Sequence, residues 1–328
     1  MAAAAVALLA ALLPGCGKSR SGDADRVRVG YFANLTHAQA VLGVASGDYA
    51  QAVAPAKLET KIFNAGPSLI EALFAGEIDI GYVGPGPVIS AQARSHGQGI
   101  RVVAGGAANG VVIVVRKDSG IGSIGQLAGK RLATPQLGNT QDISARHYLA
   151  SVLGQTDLSR VTPVDNAQQA ALFARNEIDA AWVPEPWGEL LVAQTGASLL
   201  AEEKDLWPEK EFVLTLVVTT PEFLAKHADT VQRVLAAHRT WTDRLAAEPA
   251  KYAPALGDAL FALTGKRLDP GVVRDALGRV KFTSDPNART LKTFASWTHD
   301  LGFERETVDL GNLVDTTILD KTVADRRP

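Results

Sequence analysis

The chain has 328 residues, of which 46% are hydrophobic and 21% charged, a length and composition that call for about two domains with sizeable cores and argue against long disorder. Lys and Arg number 33 against 35 Asp and Glu, and the resulting net charge of −2 offers no footprint for nucleic acid. No run of about 18 apolar residues occurs, so no transmembrane helix is expected in the mature protein.

Residues 3–13 are uninterruptedly apolar and lead into Leu13-Pro14-Gly15-Cys16, where Cys16 is the single cysteine. The stretch has signal-peptide length, although no Lys or Arg precedes it. One reading is an ordinary secretory signal with a chance cysteine; the preferred one is that Leu-Pro-Gly-Cys resembles a bacterial lipobox, with residues 1–15 removed and Cys16 lipidated. A lone cysteine committed to an anchor leaves none for a disulfide or a thiolate catalyst. Residues 16–25 read as a flexible polar tether.

Arg26 to Phe32 alternates charged and apolar residues and reads as the first strand. Asn34-Leu35-Thr36-His37 opens a helix through residue 45, a strand covers residues 58–63, and a second helix follows Asn64-Ala65-Gly66-Pro67-Ser68. Glu77-Ile78-Asp79 then begins a strand that stops at a loop, Gly84-Pro85-Gly86-Pro87. Val111 to Val115 follows a Gly-rich stretch and is the expected passage into a second lobe. There the order recurs: a strand at 130–134, a polar loop Leu137 to Asp142, a helix at 143–153, a strand at 161–164, a helix, and Glu177-Ile178-Asp179 opening a strand that stops at Pro184-Glu185-Pro186-Trp187. Residues 212–218 form the return strand, and helices near 230–247, 249–261 and 270–277 pack on the first lobe.

The two halves are nearly one text read twice. Asn64-Ala65 … Ala72-Leu73-Phe74-Ala75-Gly76-Glu77-Ile78-Asp79 matches Asn166-Ala167 … Ala171-Leu172-Phe173-Ala174-Arg175-Asn176-Glu177-Ile178-Asp179. Alternating strands and helices imply right-handed crossovers and mainly parallel sheets, with a ligand beyond the strands' carboxyl ends. Two such lobes facing each other make a cleft lined by the polar loops. The expected division is 26–110 for the first lobe, 111–211 for the second, and 212–328 for the return and C-terminal helices.

Unpaired N–H groups at helix starts make these loops anion cradles without needing an arginine, although each is also compatible with an ordinary N-cap. The candidate contacts are Asn34, Thr36 and His37; Gly66, Pro67 and Ser68; Gly84, Pro85 and Gly86; Asn139, Thr140, Gln141 and Asp142; and Glu185 with Trp187. Trp187, in a stiff Pro-flanked loop, offers a fixed aromatic face or packs in the lobe core. Glu185 orients a neighbour, meets a ligand ammonium or forms an ion pair. The six histidines show no metal-ligand spacing, and no HExxH, GxSxG or P-loop pattern occurs, so neither cofactor, metal nor catalytic residue is assigned. His147 reads as structural.

Taken together, Thr36-His37-Ala38, Phe63-Asn64-Ala65-Gly66-Pro67, Gly76-Glu77-Ile78-Asp79, Gly84-Pro85-Gly86-Pro87, Thr134-Pro135-Gln136-Leu137-Gly138-Asn139-Thr140 and Trp182-Val183-Pro184-Glu185-Pro186-Trp187 make residues 26–245 resemble the substrate-binding proteins of nitrate, sulfonate and taurine ABC importers, most closely the aliphatic-sulfonate branch. The resemblance implies an α/β, type II periplasmic-binding-protein fold, with two doubly wound α/β lobes joined by a two-strand hinge. It also implies a small organic anion as ligand, a permease and its ATPase as partners, a monomer, and a periplasmic or cell-surface location held by a lipid anchor. Two alternatives share the scaffold: an enzyme of cofactor-precursor synthesis, and binding of nitrate or a pyrimidine.

Overall fold

In the computed structural model, residues 26–324 are described. The signal, tether and Cys16 expectations fall outside the described residues. The strands are β1 (Arg26–Phe32), β2 (Lys57–Phe63), β3 (Ile80–Val83), β4 (Arg101–Asn109), β5 (Val111–Val115), β6 (Leu132–Thr134), β7 (Val161–Pro163), β8 (Ala180–Pro184), β9 (Ser198–Glu202), β10 (Val213–Thr219) and β11 (Val280–Phe282). They form two sheets, ordered β11-β4-β10-β3-β1-β2 and β7-β6-β8-β5-β9.

Each sheet is half what parallel crossovers predict. β1 runs parallel to β2 and β3, and β6 runs parallel to β7 and β8, but β10, β4 and β11 pair antiparallel, as do β5, β8 and β9. The sheets are therefore mixed rather than mainly parallel. The reason lies in the connections of β5 and β10, because each enters its sheet from the other lobe, needs no crossover helix there and is free to run against its neighbours.

The passage between sheets is sharp. Asn109 (φ 61°) and Gly110 (φ 76°) both adopt left-handed backbone, turning β4 of one sheet directly into β5 of the other. Asn109 also ties the two crossings together: its N–H donates to the Phe212 carbonyl (2.9 Å), and its Oδ1 accepts from the Phe212 N–H (3.3 Å).

β5 is fully buried and serves two cores by period-2 alternation. Val111, Ile113 and Val115 join the core that runs through both lobes, whereas Val112 and Val114 pack with Ala181, Val183 and Leu191 on the second lobe's other face. On the first lobe, Val27, Val29 and Tyr31 pack with Val231, Val234, Leu235, Leu256 and Val273 of the C-terminal helices Ala228–Ala247, Pro249–Thr264 and Pro270–Leu277. Those helices lie where the sequence puts them. β4, a nine-residue strand, does not announce itself because Gly105 and Gly106 interrupt it. Gly105 is required by a close approach, since a Cβ there would lie 2.2 Å from the Asp285 carbonyl oxygen.

The repeated sequence has a structural meaning. The helices Gly66–Phe74 and Asn166–Ala174 end alike, with Gly76 (φ 64°) and Asn176 (φ 57°) in left-handed backbone. Glu77 N–H donates to the Ala72 carbonyl (2.8 Å) and Glu177 N–H to the Leu172 carbonyl (2.9 Å), closing a Schellman turn in each copy. The Glu-Ile-Asp segments are not strand, as the sequence suggests, but the turn before it; β3 and β8 begin one residue later. Each aspartate locks the neighbouring strand. Asp79 takes the backbone N–H (2.7 Å) and guanidinium (2.6 Å) of Arg28, and Asp179 takes the N–H (3.1 Å) and guanidinium (2.6 Å) of Arg131. Arg131 holds the Asp179 carboxyl well below the usual carboxylate range.

Candidate functional site

Between the lobes lies a cavity of about 20 Å³, lined by Phe32, Asn34, Thr36, His37, Asn64, Gly84, Asn139, Thr140, Gln141, Asn166, Pro184 and Leu214. Its size matters. That volume holds about one water molecule, so the lobes are shut and any organic ligand enters only when they part.

The wall carries amides, hydroxyls and one imidazole, and no Arg, Lys, Asp or Glu among the described residues. His37 is neutral, since burial pushes its pKa down to about 3. Its Nδ1 accepts the Phe32 N–H (3.3 Å), which leaves Nε2–H as the ring's donor. Helix starts meet at the cavity from both sides: Gly66–Phe74, just after Asn64, and Pro85–Arg94, after Gly84, from the first lobe; Thr140–His147, after Asn139, and Asn166–Ala174 from the second. In none of the four does the N-cap side chain accept a first-turn N–H. One such N–H, that of Gly86, donates across the cleft to Thr140 Oγ1 (3.3 Å).

Of the residues the sequence points to, Asn34, Thr36, His37, Gly84, Asn139, Thr140 and Gln141 meet at this cavity. The others lie elsewhere. Gly66 is buried with Pro87 and Val83 close by, so that a Cβ there would lie 2.4 Å from the Pro87 ring. Pro67 is half-buried in the first turn, and Ser68 is exposed. Pro85 and Gly86 are buried in the first turn of their helix rather than in a loop, a place that suits proline because the missing N–H is not needed there. Asp142 turns inward, with its oxygens taken by Thr134 Oγ1 (2.8 Å), the Gly138 N–H (3.0 Å) and Arg146 Nε (3.0 Å).

Glu185 is buried outside the cavity and bonded to Arg279 Nη1 (2.9 Å) and the Glu189 N–H (3.2 Å). Arg279 immediately precedes β11, so this ion pair joins the lobes beside the crossing at Gly110, whose carbonyl accepts the Glu185 N–H (2.9 Å). Burial, opposed by the Glu189 N–H and by Arg279, pushes the Glu185 carboxyl up to about 7. Trp187 offers no open face to the cavity; its Nε1–H donates to Asn34 Oδ1 across the cleft (2.8 Å).

Sequence reading passes over Phe32, Asn64, Asn166, Pro184 and Leu214 as contacts. The repeat itself signals two of them, because Asn64 and Asn166 are its matching first residues and face the cavity from opposite lobes. The three apolar residues carry no such signal.

Behind the cleft the lobes share an aromatic seam. His147 stacks on Trp297 (4.0 Å between centroids), and Trp207 packs on Phe212 (5.0 Å) and Trp297 (4.6 Å). Glu203 is buried there, accepting from Trp182 Nε1 (2.6 Å) and Trp207 Nε1 (3.1 Å), and burial pushes its carboxyl up to about 7. A raised acid stabilises the fold below its unfolded pKa of 4.5 and loses that contribution as pH climbs through 7. Glu203→Gln is therefore expected to lose stability against the wild type by about 1 kcal/mol per pH unit from 6.5 down to 4.5. Urea midpoints at pH 4.5, 5.5 and 6.5 check this, and parallel curves would count against it.

Residues 21–255 match the NMT1-like family. A Bacillus subtilis (strain 168) protein named for binding aliphatic sulfonates is 28% identical over 236 residues, 68% of each chain. The taurine-binding periplasmic protein of Escherichia coli (strain K12) is 25% identical over 179 residues, 54% of each. The alkanesulfonate-binding protein of Xanthomonas axonopodis pv. citri, solved with MOPS, superposes with a TM-score of 0.68 over 91% of this chain and 97% of its own, at 24% identity, which shows the shared two-lobed fold.

Proposed function

This chain belongs to the NMT1-like family, and from that premise we propose that it is an extracytoplasmic solute-binding protein that captures a small organic anion, an aliphatic sulfonate first of all, and delivers it to an ABC importer permease. One observation carries the reading: four helix starts without N-cap side-chain bonds converge on a cavity whose wall holds no carboxylate. First-turn N–H groups not taken by an N-cap side chain and the positive ends of four helix dipoles favour negative charge there. Directed amide donors suit a sulfonate's three oxygens, and such bonds are strong when the acceptor is ionised. The names of the relatives, for sulfonates and taurine, support the same class.

A ligand ammonium has no counter-charge on this wall, because Asp142 and Glu185 are engaged within the protein. We therefore place a plain alkanesulfonate ahead of taurine. Binding shifts an open–closed equilibrium, and the closed shape is what the permease recognises. The reading includes a lipid anchor on Cys16, a monomeric protein and no catalytic role.

The test is a thermal-shift and calorimetric screen of alkanesulfonates, taurine, nitrate, sulfate and a neutral pyrimidine. An alkanesulfonate at 100 times its Kd stabilises by about 2.7 kcal/mol; stabilisation by the pyrimidine alone would end the reading. Thr140→Ala is expected to weaken the sulfonate by about 1 kcal/mol, roughly fivefold, while Ser68→Ala, exposed and away from the cavity, leaves affinity within twofold. Equal loss in both would place the anion outside this cavity.

A further inference from the structure

The two strands that carry the chain between the lobes, β4 and β10, fall out of step beside the cavity. Val213 faces Ala108, Thr215 faces Ala107 and Leu216 faces Gly105, so Leu214 is one residue too many on β10 and Gly106 one too many on β4. The two bulges cancel, and beyond Gly106 the ladder returns to the register it had at Val213. Leu214, unpaired in the ladder, lines the cavity. Bulges turn a strand and re-aim the residues within them.

Backbone groups at a bulge need partners outside the regular ladder. Here buried side chains of the first lobe supply them. Gln39, on the helix Ala38–Ala45, donates from Nε2 to the Gly106 carbonyl (2.6 Å), which also takes the Thr283 N–H (3.1 Å). His238, on the helix Ala228–Ala247, donates from Nε2 to the Gly105 carbonyl (2.8 Å). Both side chains are fully buried, and neither lines the cavity. Because a carbonyl only accepts, His238 Nε2 carries the proton; Nδ1 then accepts the Tyr82 hydroxyl (2.9 Å), whose oxygen accepts from Tyr49 (2.6 Å). Burial pushes the His238 pKa down to about 4, so the ring is neutral and this order of donors is fixed. Gln39 Oε1 has no partner among the described residues, and a buried oxygen left so costs stability. An apolar side chain of that size would avoid the cost, so what the amide adds is its bond to the bulge.

We infer that Gln39 and His238 are positioning residues for ligand binding: they hold the Gly106 bulge, which offsets the bulge on β10 and so keeps Leu214 in the cavity wall. They act on the ligand through Leu214. The inference rests on the anion-binding reading of that cavity. Once the anchors are gone, β4 relaxes toward regular pairing and draws Leu214 back into the ladder, away from the wall.

The experiment is calorimetry with butanesulfonate on the wild type, Gln39→Met, His238→Leu, His238→Gln, Leu214→Ala and the Gln39→Met, Leu214→Ala double variant. Amide hydrogen exchange of residues 104–108 and 213–217 is measured alongside, without ligand. Gln39→Met is nearly isosteric and removes the unpartnered oxygen, so its urea midpoint is expected to stay near that of the wild type; it keeps the test decisive if His238→Leu fails to fold. In Gln39→Met and His238→Leu, both segments are expected to exchange about tenfold faster. Both variants bind about fivefold more weakly, the size of roughly one methylene group lost from contact. His238→Gln keeps a donor for Gly105 and binds as the wild type does. Leu214→Ala weakens binding by a similar factor, and the double variant binds no more weakly than Leu214→Ala alone. A folded Gln39→Met with wild-type affinity, or a double variant whose two losses multiply, overturns the positioning role. Wild-type exchange in Gln39→Met overturns the anchors whatever the ligand, whereas failure of butanesulfonate to bind the wild type, with exchange accelerated as expected, overturns the sulfonate reading and leaves the anchored bulge standing.

Discussion

Arg279→Ala is expected to cost about 3–5 kcal/mol of stability at pH 8, the range for removing one partner from a buried pair. Arg279 stands on the first lobe's side of the crossing and faces Glu185 (2.9 Å), Glu189 (2.5 Å) and, at 4.0 Å, Glu202, all on the second lobe. Without it, Glu185 is a buried carboxylate with the Glu189 N–H as its remaining partner and another carboxylate beside it. Its pKa, already up to about 7, rises further when the guanidinium goes. The group then escapes the penalty by taking a proton, so the cost shrinks as pH falls from 8 toward 6. Urea denaturation at pH 6, 7 and 8 reads this directly, and Glu185→Gln in the Arg279→Ala background is expected to restore part of the loss and abolish its pH dependence. A loss below 1 kcal/mol, or one of equal size at all three pH values, would show that solvent reaches Glu185 and that the pair contributes little.

Gly84→Val is expected to lower ligand affinity by at least 100-fold while changing the urea midpoint little. Gly84 lies where the lobes touch: a Cβ there would sit 2.2 Å from Thr140 Oγ1, 3.2 Å from Thr140 Cβ and 3.2 Å from the Leu214 carbonyl oxygen. Its backbone (φ −80°, ψ 164°) is open to any residue, so the substitution strains no dihedral and acts by bulk alone. Wedged at the cleft floor, the side chain holds the lobes apart and removes the closed state in which the ligand meets both helix pairs at once. Small-angle scattering without and with alkanesulfonate provides the check: the wild type compacts on binding and the variant does not. Compaction of the variant with wild-type affinity would mean that Thr140 gives way and that closure tolerates the wedge.

Much of this molecule is written locally. The repeated Ala-Leu-Phe-Ala helices and the polar break after each depend on neighbours in the chain, so apolar periodicity and turn chemistry reveal them, whereas the left-handed ends at Gly76 and Asn176 and the Asp79 and Asp179 clamps on Arg28 and Arg131 do not show in that pattern, which reads Glu-Ile-Asp as strand. The polar residues at strand ends are legible as well, because βα connection rules place any cleft there. What local pattern does not contain is the packing of one lobe on the other. It decides that Asp142 turns into its own lobe, that Glu185 meets an arginine 94 residues away, and that the Trp187 indole bonds to Asn34 across the cleft. It also decides strand direction in β5 and β10, because a strand's sense depends on which lobe it arrives from, and nothing in the apolar runs of residues 111–115 or 213–219 encodes that. The sequence by itself therefore determined two matching α/β units and their polar edges. The tertiary structure decided which of those edge residues face a ligand and which hold the lobes together, since both roles use the same side chains and differ only in what stands opposite them.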